Sequence, residues 1–509
     1  MSGNQSITPK KGNHDELPKE KTYVTVEEKD VTAEEDRSSE TYTDSPDPSN
    51  PLTWSFRRRL SLAAIISLLV ALPPISSTML APANTLLRTD FNITSSTKLQ
   101  LVFSIYNLGY GIGPLVLAPL SEMYGRLLVI HSCTAAFLVF NTAAGFARSG
   151  LQLGAFRFLS ACVGSTIMSV GSGVLGDSFA QHEFGLAGAV YGLMPLLGPV
   201  IGPVAGGFAV EYGSWRWMCW TLSLVGVVLQ CVALVFLRET HRPTILRREK
   251  ATPALKSGKD IPCDEQNTNE PWSCKAIRPL KLLATQPLIQ FLGLYLAFLT
   301  GVCYIIEYTF PTLWTERYNQ TTANGGLNYI AIGIGFVVGA LTCSYLNDRV
   351  YKALTARNGG TGKPEFRIPV MLLGALLAPA GLFWYGWTAQ AGAHWILPDI
   401  GIAIYAKGFV IGIVNTHMYV VDYYGSYAAS AVAAVSFAQA LFGFLLPLFG
   451  PALYTSLGYG WGNSIMGFIA ICIGWPLPAL LWKYGEVLQS NSPYSARRQP
   501  CSADKNAHV

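Results

Sequence analysis

Long apolar stretches recur along the chain and are separated by short polar loops. A membrane-spanning helix needs about 20 predominantly apolar residues. The chain offers twelve such stretches, in two groups of six on either side of a charged segment. The predicted spans are 59–82, 98–118, 127–147, 151–173, 185–208, 216–237, 284–309, 325–346, 368–388, 395–421, 428–455 and 461–482. This pattern predicts an all-α polytopic membrane protein built as two six-helix bundles.

The same pattern divides the chain into five segments. Residues 1–57 are densely charged with almost no apolar run, so they are predicted to form a disordered cytosolic tail. Residues 58–237 are predicted to form the N-terminal bundle and residues 283–485 the C-terminal bundle. Residues 238–282 would then be a cytosolic central loop, and residues 486–509 a cytosolic C-terminal tail.

Composition supports a membrane protein and disfavours other classes. Only 13% of residues are charged, whereas a soluble domain has about a quarter. Most of the 10 cysteines lie in apolar runs without the spacing of metal ligands. Residues 358–366, NGGTGKPEF, fail the phosphate-loop pattern, because Arg357 and Pro364 occupy its two ends. We therefore expect a transporter driven by an ion gradient, not an enzyme, with no metal and no cofactor.

Basic residues mark the loops on one side of the membrane. Lys and Arg cluster in residues 57–59, 238–259 and 349–367. The positive-inside rule places these segments and both termini in the cytosol. Asn92 and Asn319 begin glycosylation patterns in loops on the opposite side. That topology fits the plasma membrane or, alternatively, the vacuolar membrane.

The loop after the second span carries a carboxylate and a guanidinium at short spacing. Residues 118–130 read APLSEMYGRLLVI, in which Gly125 lies between Glu122 and Arg126. Paired across a tight turn, these charges would form a cytosolic gate that stabilises one of two transporter states. Positive-inside topology alone is the simpler alternative.

A second copy follows the eighth span. The stretch YLNDRVYKAL carries Asp348 and Arg349 in corresponding places. Two copies, each after the second span of its half, fit a parallel internal repeat. Asp177 and Asp422 end the fourth and tenth spans on the same side. We expect them to be gate partners of the two loops, the alternative being two solvated loop acids.

The fifth span combines glycines and prolines at regular spacing. Its glycines lie four residues apart and share one helix face, so a neighbouring helix can approach closely. Its prolines each remove a backbone hydrogen bond, which lipid cannot replace. We therefore predict a bent helix covered by neighbouring protein. The motif residues are Gly198, Pro199, Gly202, Pro203, Gly206 and Gly207.

These motifs resemble those of a known family. Residues 118–130 are similar to the cytosolic signature of the major facilitator superfamily, and the fifth-span motif resembles the antiporter motif of proton-coupled drug exporters. Short segments resemble those of the fungal twelve-span drug:proton antiporters: residues 47–54, 215–217, 238–240, 364–367 and 447–449. The resemblance implies the major facilitator fold, with two six-helix bundles around a central cavity lined by the first, fourth, seventh and tenth spans.

Charged side chains within spans are costly and are functional candidates. Arg157 in the fourth span matches an arginine that the family links to proton coupling. Glu307 in the seventh span is a candidate proton carrier, and Lys407 in the tenth its counter-ion or a contact for an anionic substrate. The resemblance implies that all three lie at the cavity, with Tyr304 and Asn415 as further contacts. The alternatives are a snorkelling Arg157, a solvated Glu307, and packing roles for the last two.

We expect a proton-coupled efflux transporter that exports a small lipophilic drug or a fungal secondary metabolite or toxin by alternating access. The expected partners are a small-molecule substrate, protons and the lipid bilayer, without nucleic acid, and the chain is expected to be monomeric. Export of a polyamine or another organic cation is the alternative, although a polycation should need several acids in the cavity.

Overall fold

The computed structural model describes residues 51–179, 184–246 and 272–494, and these ranges contain helices and no strand. Short helices Asn84–Asp90, Trp272–Thr285 and Thr322–Leu327 lie in connections between the long ones. The long helices are α1 Phe56–Thr78, α2 Ser96–Tyr124, α3 Arg126–Ala144, α4 Gly150–Ser178, α5 Phe184–Tyr212, α6 Trp215–Phe236, α7 Pro287–Thr312, α8 Tyr329–Arg357, α9 Ile368–Ala391, α10 Ile396–Tyr424, α11 Ala428–Leu445, α12 Gly450–Gly474 and α13 Pro476–Asn491.

Eleven helical stretches of the described residues are long and apolar enough to cross a membrane. The last, Ala428–Gln489, has 62 residues, which would extend for about 93 Å as one helix, against a hydrocarbon core of about 30 Å. It therefore makes more than one pass. The reversal lies within α12 at Gly458, whose φ of 70° and ψ of 176° are not helical.

Contacts on either side of Gly458 support two passes. Before Gly458, the chain runs alongside α7, without reversing at the 3₁₀ turn Leu446–Phe449. After Gly458, it runs back alongside α9. The contacts are Gly301 with Leu446 and Gly450 with Ile305 before the turn, then Gly386 with Gly460, Gly467 with Phe383 and Gly474 with Ala375 after it. The eleventh and twelfth predicted spans therefore meet at Gly458.

The two halves of the chain have separate hydrophobic cores. In the first half α1 packs on α5, and α4 on α2 and α3; in the second, α10 packs on α8 and α9, and α7 on α11. The first core extends from Trp54 to Leu237 and the second from Leu282 to Leu481. In addition, each core contains one buried residue from the other half: Tyr308 in the first core and Val200 in the second. We call the end where α2, α4, α8 and α10 finish the Arg126 end, and the opposite one the Asn319 end.

Ordered structure begins before the predicted boundary at residue 58. Pro51–Thr53 form a 3₁₀ turn and α1 starts at Phe56, so the predicted disordered tail is wrong for residues 51–57. The reason is that Trp54 is buried in the first core, with the Arg58 guanidinium 4.2 Å above its ring. Most of the two predicted tails and of the predicted central loop lies outside the described residues. The ranges outside are 1–50, 180–183, 247–271 and 495–509.

One face of α5 lies directly against α1. A Cβ added at Gly198 would lie 2.5 Å from Pro74 Cβ, and one at Gly202 would lie 2.7 Å from the Ile75 carbonyl oxygen. Helix α5 runs continuously through its prolines. Because Pro203 has no N–H, the Pro199 carbonyl lacks its helical partner, and the Thr78 hydroxyl of α1 donates to it at 3.4 Å. The close approach predicted from the glycine spacing is confirmed.

A second face of α5 contacts the other half of the chain. Val200 belongs to the second core and lies against Gly333 of α8. Nearer the Asn319 end, a Cβ at Gly207 would lie 2.7 Å from the Thr322 carbonyl oxygen. The Glu211 carboxylate accepts a hydrogen bond from the Ala323 amide at 2.7 Å. Helix α5 thus contacts α1 of its own half on one face and the other half on a second face, through both backbone and side-chain atoms.

The substitution Gly202→Ala should destabilise the protein, because the new methyl group would press on the backbone of α1. Overpacking of this kind costs about 1–3 kcal/mol, so the apparent melting temperature of the purified protein should fall. Gly192→Ala in the same helix is the matched control, since its Cβ would meet nothing within 4 Å. Equal melting temperatures for the two variants would contradict the close α1–α5 contact.

Candidate functional site

An ion pair joins α3 and α4 at the Arg126 end. Arg126 Nε lies 2.7 Å from Asp177 Oδ2, with both side chains partly buried. The turn before Arg126 depends on Gly125, whose φ of 98° is one that other residues rarely adopt. Glu122 is exposed two residues before the end of α2. Of the predicted gate residues, Arg126 and Asp177 are therefore in direct contact.

Glu239 completes this cluster from the segment after α6. Its carboxylate accepts hydrogen bonds from the amides of Arg126 at 3.1 Å and Leu127 at 3.2 Å, and from those of Thr240 and His241. The first amides of a helix have no partner within the helix and favour a negative charge, so Glu239 caps α3. Burial and the nearby Arg126 hold the pKa of His241 below its usual range. Glu239 was not among the gate residues predicted from the sequence.

The second half contains an equivalent ion pair with a different arginine. Arg367 Nε lies 3.0 Å from Asp422 Oδ2, and Arg367 immediately precedes α9 as Arg126 begins α3. The predicted pairing of Asp422 with the Asp348–Arg349 loop is wrong. Helix α8 continues to Arg357, so these two residues lie on a regular helix and not in a turn. Arg349 stacks on Tyr345 of its own helix at 4.0 Å.

Arg157 is buried in the first core, at the end of α1. Its guanidinium donates to the carbonyl oxygens of Val102 at 3.1 Å, Ser76 at 3.1 Å and Ser77 at 2.8 Å. Helix α1 ends at Thr78, so its last carbonyls lack helical partners, and a cation at this end is favourable. The side chain is 2% exposed, so the snorkelling alternative is wrong. Among the described residues, no carboxylate forms an ion pair with it.

Glu307 is likewise buried, in the part of α7 near Thr312, towards the Asn319 end. The Cys303 thiol donates to its Oε1 at 3.5 Å, and its Oε2 has no hydrogen-bond partner within the described chain. The Tyr329 hydroxyl donates to the backbone carbonyl of Glu307. The side chain is 2% exposed, so the alternative of a solvated carboxylate at the outer mouth is wrong for this arrangement.

Of the remaining predicted cavity residues, Tyr304 lies one helical turn before Glu307 on α7, whereas Lys407 and Asn415 form no hydrogen bond with Glu307 within the described residues. Lys407 forms no ion pair with it in the described structure. The backbone of Lys407 packs on Gly339 of α8. Asn415 is fully buried and donates to the Ile411 carbonyl of its own helix at 2.8 Å, and its contact with the cavity stays a prediction. Tyr304 is half-buried, beside Tyr308.

Both predicted glycosylation residues are exposed at the Asn319 end. Asn92 and Asn319 have φ angles of 52° and 51° and are the non-glycine residues of the described ranges with positive φ. Asparagine tolerates this left-handed conformation better than most residues. It therefore suits the tight turns that follow helix Asn84–Asp90 and precede helix Thr322–Leu327.

Comparison with known families identifies the class of the protein. The family model of the Major Facilitator Superfamily matches residues 66–447, so the chain belongs to this superfamily of transporters. The predicted fold class, an all-α polytopic membrane protein with the major facilitator fold, is confirmed.

The chain is similar over most of its length to fungal transporters. It is 38% identical to the efflux pump vrtL of Penicillium aethiopicum, over 93% of this chain and 95% of the pump. It is 39% identical to the MFS-type transporter oryF of Aspergillus oryzae, over 88% and 96%. Among solved structures it resembles the xylose transporter XylE of Escherichia coli, with a TM-score of 0.60, 14% identity and coverage of 84% and 99%.

The substitution Asp422→Asn should weaken the connection between α9 and α10, because Arg367 loses its charged partner. For a partly exposed pair we expect a loss of about 1 kcal/mol and a lower apparent melting temperature. Asp348→Asn is the control, because Asp348 is exposed and forms no ion pair within the described chain. A larger fall in melting temperature for Asp348→Asn than for Asp422→Asn would instead support the gate predicted from the sequence.

Proposed function

We propose that this transporter is a proton-coupled exporter, which moves a small lipophilic drug or a fungal secondary metabolite or toxin out of the cytosol by alternating access. The observation that carries the proposal is the position of α5. Its glycine face lies on α1, and its other face lies on the second half near the Asn319 end. Near the Asn319 end, the contacts of α5 with the other half involve glycines and backbone carbonyls, which can separate without repacking large side chains, as a rocking motion requires.

The observed arrangement is closed at the Asn319 end. Gly207 contacts Thr322, Gly326 contacts Pro203, and the Asn84 amide donates to the Thr312 hydroxyl at 3.4 Å. All of these contacts join the two halves. We propose that this end faces the exterior, with both termini in the cytosol at the Arg126 end, and that Asn92 and Asn319 are glycosylated. The proposed bundles are residues 58–237 and 283–485, in a plasma-membrane monomer.

Glu307 is the proposed proton carrier. A carboxylate inside a membrane protein is costly unless it is paired, and within the described ranges Glu307 has the Cys303 thiol and no cation as its side-chain partner. A proton on Glu307 removes that cost in the buried arrangement. Opening the Asn319 end would hydrate the site and allow exchange with the exterior. A proton taken up there would then be carried inward as the halves return.

The acids of the described spans favour a neutral substrate over a polycation. Glu307 is buried beside Cys303, and Asp399 is buried in the first turn of α10. These two acids lie on different helices, α7 and α10, and they supply less charge than the several cavity acids that a polycation should need. Polyamine export therefore has less support, and the name efflux pump of the Penicillium aethiopicum relative supports the direction of transport, export.

Inside-out membrane vesicles with an acidic lumen test the proposal. We expect pH-gradient-dependent accumulation of Nile red, used as a neutral lipophilic probe, and none of radiolabelled spermidine. Accumulation that is insensitive to collapse of the gradient would contradict proton coupling. Accumulation of spermidine alone would establish the polyamine alternative.

The substitution Glu307→Gln should abolish the effect of the pH gradient while leaving counterflow of the probe, which needs no net proton movement. The amide keeps the shape of the side chain but carries no proton. Asp399→Asn is the matched control, because Asp399 is a second buried carboxyl and lies away from Cys303. Loss of the gradient effect in Asp399→Asn alone would transfer the role to Asp399.

A further inference from the structure

Tyr308 of α7 is buried in the core of the other half. It is fully buried, and it is the one residue of the first core's buried set that comes from beyond Leu237. Its ring packs on Phe103 of α2, with 5.8 Å between the ring centroids. In the opposite direction, Val200 of α5 enters the second core. Each half thus inserts one side chain into the other.

A buried amide holds the Tyr308 hydroxyl. Asn107 Nδ2 of α2 donates to the Tyr308 hydroxyl at 3.2 Å and to the Gly443 carbonyl oxygen of α11 at 2.8 Å. An asparagine side chain has two N–H donors, and both of these go to the other half. Asn107 is 2% exposed, so water is not available to replace either bond.

The same turn of α2 also positions Arg157. The Phe103 carbonyl accepts from Arg157 Nη2 at 3.5 Å, and the Tyr106 ring lies 5.0 Å below the guanidinium. Residues 103–107 therefore contact Arg157 on one side and Tyr308 on the other. Glu307 precedes Tyr308 on α7, so the place of Tyr308 also determines where Glu307 lies relative to the first half.

We infer that Tyr308 is a positioning residue for the transport cycle: seated between Phe103 and Asn107, it holds the two halves in the arrangement closed at the Asn319 end. When that end opens, the ring must leave the first core and the hydroxyl must leave Asn107. The inference rests on alternating access in the proposed function. It does not depend on Glu307 carrying the proton or on the identity of the substrate.

The rate at which the Asn319 end opens can be measured without transport. Ala323 is 3% exposed and lies against Gly207 across the contact between the halves. In an Ala323→Cys background, a membrane-impermeant maleimide should modify this cysteine only while that end is open. Peptide mass spectrometry then reports labelling at position 323 separately from the native cysteines.

Tyr308→Phe keeps the ring and removes the hydroxyl, so it should increase the labelling rate at position 323. Loss of one buried hydrogen bond corresponds to a factor of about 5. Tyr295→Phe is the matched control on the same helix, because the Tyr295 hydroxyl is buried without a partner in the described chain. Its labelling rate should equal that of the parent. Equal rates for Tyr308→Phe and Tyr295→Phe would overturn the inference.

Asn107→Ala removes both bonds to the other half and should increase the rate further. If the hydroxyl acts through Asn107, the double variant Tyr308→Phe/Asn107→Ala should label no faster than Asn107→Ala alone. If Tyr308 acts independently of Asn107, the increase in labelling rate in the double variant should equal the product of the increases in the two single variants. That result would overturn the inference. Size-exclusion profiles of the variants confirm folding, and the Asn107 series keeps the test valid if Tyr308→Phe folds poorly.

Discussion

A backbone carbonyl in an apolar bilayer has no partner except another group of the protein, and this constraint organises the first half of the molecule. Helix α1 ends inside the bundle at Thr78, which leaves the Ser76 and Ser77 carbonyls for Arg157 of α4. Pro203 frees the Pro199 carbonyl of α5 for the Thr78 hydroxyl. Carbonyls without a helical partner would weaken isolated helices, but here they accept the hydrogen bonds that join α1, α4 and α5.

At the Arg126 end, the two halves have equivalent ion pairs that are formed by residues at different places in the sequence motifs. In each half an arginine at the start of the third helix pairs with an aspartate at the end of the fourth: Arg126 with Asp177, and Arg367 with Asp422. The segment after the sixth helix then returns to this turn. Glu239 caps α3 in the first half, and Glu486 forms an ion pair with Lys363 in the second. The repeat lies in the geometry more than in the local sequence.

This difference explains what the sequence could and could not predict. The spans and the glycine face of α5 depend on local length and spacing, and they were predicted closely. Arg367 was not predicted as the partner of Asp422, because local similarity pointed to Arg349, which lies before the turn. Lys407 was predicted as a counter-ion of Glu307, or a contact for an anionic substrate, because the family resemblance places the seventh and tenth spans at one cavity. Helices that are apolar on every side carry no signal of their rotation, so only packing shows that the Lys407 backbone faces α8.

The contacts between the halves combine weak and strong parts. Near the Asn319 end, glycines lie directly against backbone carbonyls of the other half, and each of these contacts is small. Deeper in the membrane, the Asn107 amide bonds both Tyr308 and Gly443, where no water can replace it. A buried polar group is either satisfied or costly, with little between, so this bond favours a closed or a fully hydrated open arrangement over intermediate ones. A transporter that alternates between two states needs such a discontinuity, and a purely apolar contact, which weakens gradually with separation, would not supply it.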